Sequence, residues 1–122
     1  MTADPGSPLR GRKFRVAAIG GVPTLVSPGA DLSFGEDGRV TGCATVNRLV
    51  GSYSLDGDSL TCGPLASTLL AGPPEAMDQE TRLQRGLGQP LTVVGVGDGD
   101  VELRSGDVVV VRLVPSDAPE SF

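Results

Sequence analysis

No histidine occurs in the 122 residues. Its absence removes the imidazole base of Cys–His and Ser–His–acid catalysis and any imidazole metal ligand. Cysteine is nearly absent too: Cys43 and Cys62 alone are too few for a thiolate zinc site. Aromatic residues reach only 3% (Phe14, Phe34, Tyr53 and Phe122), so the core must be built from Val, Leu and Ala, a composition that favours strands. No apolar run approaches the roughly 18 residues that span a bilayer, and the opening MTADPGSPLRGRK has no apolar signal region. The chain as given is therefore expected to be cytoplasmic, with an exported or envelope-anchored parent whose signal has been trimmed as the alternative. Lysine occurs once, at Lys13, and the arginines are scattered; with 15 acidic against 10 basic residues the net charge is −5. No phosphate-tracking stripe results, and nucleic acid is not an expected partner.

What is present fits one domain with a single modest core, because a chain of this size buries roughly two-thirds of its unfolded surface. Residues 1–9 and 115–122, rich in Pro, Gly and polar residues, are expected to be loose tails around a folded unit of 10–114. FRVAAIGG (14–21) reads as a first strand, followed by a Pro/Gly-rich loop. ADLSFGEDGRVTGCAT (30–45) reads as a hairpin turning at Gly35–Gly38, and GSYSLDGDSLTCGPL (51–65) as a second, with Gly57 supplying the positive φ of its turn. LTVVGVGDGDVELRSGDVVVVRLV (91–114) predicts a three-strand meander turning at 97–100 and 105–107, with Gly95 and Gly97 where a strand would bend.

One helix stands out at 73–88. Pro74 suits its first turn; Glu75, Asp78 and Glu80 lie towards its positive end, Arg82 and Arg85 towards its negative end, and Gly86 and Gly88 can stop it. Ala76, Met77, Leu83 and Leu87 then share a narrow face, which suits packing against a sheet.

Few residues carry chemistry. The pairs Asp56/Asp58 and Asp98/Asp100 lack the spaced ligands and terminal Glu of a calcium loop, and read as hairpin turns. No metal or cofactor is expected. Asn47 and Arg48, a polar interruption in ATVNRLVG, read either as a turn built on the Asn amide or as an interaction surface. Ser67 and Thr68 read as caps or turn formers. Cys43 and Cys62 are expected to lie near each other, as buried inert thiols or, in an oxidising compartment, as a disulfide.

The stretch DGRVTG…N…GSYSLDGDSLTCGPLASTLLA…PEAMDQETRL resembles the META domain family, the HslJ-like proteins. Gly42, Asn47, Gly51, Tyr53, Leu65, Thr68, Ala71, Met77 and Glu80 stand where that family's signals fall. Thr45 stands in place of the motif's glycine, Val46 in place of the cysteine before Asn47, and Gly72 in place of the cysteine of Met-Ala-Cys. The resemblance implies the architecture expected from the strand signals: a mainly β, strongly curved, barrel-like antiparallel sheet with one α-helix inserted between the fourth or fifth strand and the final meander. It also implies a bacterial protein linked to stress response, the envelope or antibiotic tolerance, without catalytic chemistry.

Two functions are carried forward: a monomeric interaction module with a protein partner, and a carrier holding an apolar or lipid small molecule in a cleft lined by Met77, Leu83 and Leu87. A filled core under the helix favours the first; an open cavity favours the second. An enzyme is a distant third.

Overall fold

The computed structural model describes residues 9–25, 29–97 and 99–116. Alternating burial along the strands sets the architecture. In β1 (Arg12–Ile19), Phe14 and Val16 are buried while Lys13 and Arg15 are exposed; in β3 (Asp31–Phe34), β4 (Arg39–Cys43) and β5 (Arg48–Asp56) the buried residues are Leu32, Phe34, Val40, Leu49 and Tyr53. One face of each strand is apolar, so the sheet must close on that face or stack against another layer.

It closes. The order β1–β3–β4–β5 continues through β6 (Ser59–Cys62), β8 (Leu91–Val96), β9 (Asp100–Ser105) and β10 (Val108–Pro115), and β10 pairs back onto β1. The result is an eight-stranded antiparallel barrel, a size whose interior side chains can fill it. Two short pieces stand off this path: β2 (Val22–Pro23), paired with the end of β1, and β7 (Ala66–Ser67), paired with Leu49 and Val50. Bulges between Val16 and Ala18 and between Val109 and Val111 supply the curvature at the closing seam, a role the sequence had suggested for Gly95 and Gly97.

The expected turns are present. Asp56 pairs with Ser59 around Gly57 at φ 64°, and Gly97 and Gly99 flank Asp98, which lies outside the described residues. The single described helix, α1 (Pro74–Leu87), follows the seventh strand and precedes the β8–β9–β10 meander; Pro73 is its N-cap and Gly88 its C-cap. Its buried stripe is Ala76, Gln79, Glu80, Leu83, Gly86 and Leu87. Met77, expected on that face, is only half-buried and lies outside the core.

Leu83 and Leu87 join Phe14, Val16, Leu32, Phe34, Leu49, Tyr53, Leu103 and Leu113 in one continuous core. The tail boundaries need small adjustment: Leu9 is fully buried, and Ser116, just beyond β10, donates its N–H to the Lys13 carbonyl at 3.0 Å. Residues 1–8 and 117–122 lie outside the described residues.

Candidate functional site

Polar residues occupy the middle of the buried helix stripe. Glu80, 4% exposed, accepts hydrogen bonds at Oε1 from the backbone N–H groups of Val46 (3.0 Å) and Asn47 (2.9 Å), and at Oε2 from the Asn47 amide. One turn earlier, Gln79 donates to Thr45 Oγ1 at 2.8 Å and accepts from the Leu25 N–H at 2.8 Å. The helix thus grips the β4–β5 connection, residues 44–47, with two adjacent side chains. A buried carboxylate oxygen is tolerated only where donors surround it, and here both oxygens have them.

Asn47 is the centre of the knot. Only 2% exposed, it donates from Nδ2 to the Leu70 carbonyl (3.0 Å) as well as to Glu80. Its Oδ1 accepts from Thr68 Oγ1 (2.8 Å) and from the Leu70 N–H (2.6 Å). Thr68 Oγ1 in turn accepts from the Arg48 N–H at 3.1 Å. Asn47 therefore uses its amide as a turn former of tertiary reach, and the alternative of an exposed interaction surface fails for it. Arg48 does face solvent, on the outer wall. Thr68 caps no helix, since Pro73 is the N-cap and no side chain bonds to the helix start. Glu80, read as a charge near the positive end of the helix dipole, turns inward instead.

The knot holds an unusual loop. Asn47 binds both the N–H and the C=O of Leu70, yet the side chains of Leu69 and Leu70 are 95% and 61% exposed. The sequence signal for this arrangement is the spacing 76, 79, 80, 83, 87, which puts Gln79 and Glu80 at the centre of the apolar stripe; polar residues there need buried partners.

The family departures also acquire positions. Thr45, in place of a glycine, has φ 124°, a region that L-residues rarely occupy, and its hydroxyl is held by Gln79. Val46 and Gly72, in place of the two cysteines, touch: a Cβ added to Gly72 would fall 2.6 Å from Val46 Cγ2. A branched side chain on one side is matched by none on the other.

Cys43 and Cys62 are not close, contrary to expectation. Cys43 pairs with Arg48 and Cys62 with Tyr53, so β5 lies between them, with their partners five residues apart along it. Cys43 shares the outer parity with Thr41, and Cys62 the inner parity with Leu60. Both are free and half-buried. Burial pushes the Cys62 thiol up to about 11, which suits an inert group.

The cleft expected under Leu83 and Leu87 is filled, both side chains being fully buried. No group of three His, Cys, Asp or Glu side chains able to hold a metal occurs among the described residues. No described helix is long and apolar enough to cross a membrane.

Two solved structures share the fold. An NMR structure of a protein from Burkholderia xenovorans matches with TM-score 0.74 at 17% identity, covering 96% of this chain and 93% of that one. A second NMR structure matches with TM-score 0.69 at 20% identity, covering 92% of this chain and 94% of that one. No curated protein matches the chain. The META domain model matches residues 7–117, which take in the barrel, the helix and the Asn47–Glu80 knot alike: the chain belongs to the META domain family.

Proposed function

We propose that this chain is a non-catalytic protein-interaction module that docks a partner through the Leu69–Leu70 loop. One observation carries the reading: a buried polar network fixes the backbone of Leu70 while two adjacent leucines stand in water. Isolated exposed apolar side chains are ordinary, but a rigidly held apolar pair has already lost the backbone entropy that docking would otherwise cost. The filled core beneath α1 further favours an interaction module over a carrier. An association with stress response or the envelope comes with the family alone.

The test is affinity purification from the native host with the wild-type chain and a Leu69→Ser/Leu70→Ser variant. Exposed substitutions of this kind shift stability by only about 0.5 kcal/mol, so folding is preserved. A partner retained by wild type and lost by the variant supports the proposal; equal recovery by both contradicts it.

A second reading, a carrier of an apolar small molecule, draws on a different place from the one expected. A groove of about 320 Å³ runs between α1 and the closing seam, with Ile19, Val22, Val108 and Val110 on its walls and Arg82 and Arg85 at the helix side. Native mass spectrometry of the host-purified protein, showing a bound small molecule, would favour it.

A further inference from the structure

The outer wall of the barrel carries a groove of about 820 Å³ across β1, β3, β4 and β5. Its lining includes Lys13, Arg15 and Arg48, with Asp31 as its one acidic residue, in a chain whose net charge is −5. The register explains the clustering. Arg15 pairs with Asp31, Asp31 with Cys43, and Cys43 with Arg48, which makes one outward-facing row across four strands. Lys13, Ser33 and Thr41 form the adjacent row. The two arginines at the ends of the first row have a single carboxylate, Asp31, between them.

Ser116 also lines this groove, anchored by its N–H to the Lys13 carbonyl at 3.0 Å. The chain leaves the described barrel there, on the rim of its most basic surface. The residues that follow, 117–122, are Asp-Ala-Pro-Glu-Ser-Phe and contain two carboxylates and no cation. Six extended residues reach roughly 20 Å. Crossing from β10 to β5 takes four interstrand steps, about 19 Å.

From this match of charge, reach and exit point we infer that segment 117–122 occupies the groove, with Asp117 beside Lys13 and Arg15 and Glu120 towards Arg48. Proline at 119 keeps the segment extended and removes a donor that a sheet face offers no partner for. Exposed ion pairs are individually weak, so docking rests on the high effective concentration that the covalent link supplies, and it weakens with salt. The occupied groove ends at Arg48, whose backbone pairs with Thr68, the residue before Leu69. The segment therefore screens one flank of the exposed leucine loop. The inference stands whether or not that loop binds a partner.

The test compares backbone amide NMR spectra of the full chain and of an Asp117→Asn/Glu120→Gln variant, each at about 20 mM and about 500 mM NaCl, a range over which the screening length falls severalfold. Docking predicts that neutralising the two acids shifts the amides of Arg15, Ser33, Thr41 and Arg48, and that high salt moves the wild-type spectrum towards that of the variant. A charge-swapped chain, with Arg15→Glu and Arg48→Glu combined with Asp117→Lys and Glu120→Lys, should recover the low-salt pattern of shifts across β3–β5. Changes confined to the residues next to the substitutions, with no perturbation on β3, β4 or β5, would overturn the inference.

Discussion

At the end of the barrel formed by the β3–β4 turn, Phe34 meets Phe14 and Tyr53 edge to face, with ring centroids 6.2 Å and 5.2 Å away, and the Tyr53 hydroxyl donates to the Gly35 carbonyl. At the other end, under α1, closure falls to Thr45, Asn47, Gln79 and Glu80, each paired by hydrogen bonds. The first end is held mainly by packing, which depends on volume; the second by hydrogen bonds, which depend on where each donor and acceptor sits. The difference suits a division of labour. The aromatic end needs only to exclude water, whereas the polar end must also fix the chain that carries Leu69 and Leu70.

Truncation should cost most at the aromatic end. Phe34→Ala is expected to lose about 3–5 kcal/mol in urea unfolding, while Phe34→Leu, which keeps most of the volume, should lose far less. The polar end should show the reverse sensitivity to near-isosteric change. Glu80→Gln keeps the shape but turns one acceptor into a donor facing N–H groups. It should cost about 2 kcal/mol, approaching the roughly 3 kcal/mol expected for Glu80→Ala. If Glu80→Gln unfolds at the same urea concentration as wild type, the polar end is not held by its hydrogen-bond pattern.

The contact between residues 46 and 72 offers a gain of similar size. Val46→Cys combined with Gly72→Cys should form a bridge under oxidation and stabilise the chain by about 3 kcal/mol through loop closure, seen as a shift in the oxidised against the reduced protein. Absence of a crosslink would mean that the loop over Asn47 sits farther from the β4–β5 connection than described. The smallest effect concerns Cys62. Because burial raises its folded pKa to about 11 from an ordinary value of 9.0, the stability linked to its neutral form is complete below pH 9 and is lost as pH rises from 9 towards 11. Thermal melts of wild type and Cys62→Ala across that interval should converge as the wild-type advantage fades.

Much of the barrel was legible in the sequence because alternation and turn residues act locally. Gly57 between two acids, Pro74 at the helix start and the repeated turns of the final meander each pointed to the structure found. The polar knot was half-legible. Asn47 was recognised as a turn former, but its partners Thr68, Leu70 and Glu80 lie 21 to 33 residues away in sequence, and no local periodicity links them. Met77 and Glu80 were misplaced for one reason: helical spacing was read with apolar residues alone, and the buried stripe includes two polar ones. The two cysteines were misjudged because β5 had to be placed between their strands, and the inner or outer parity of each follows only from the observed register.

The most direct measurement is hydrogen exchange at the Leu70 amide. Its side chain is largely exposed and it lies outside every strand and helix, so protection there can come only from the Asn47 Oδ1 bond. Slow exchange in the wild-type chain, collapsing in Asn47→Ala while the amides of Val40 and Leu103 in the barrel stay protected, is the expected result. Rapid exchange of Leu70 in the wild-type chain, or protection unchanged by Asn47→Ala, would contradict the claim that the knot exists to hold the leucine loop in place.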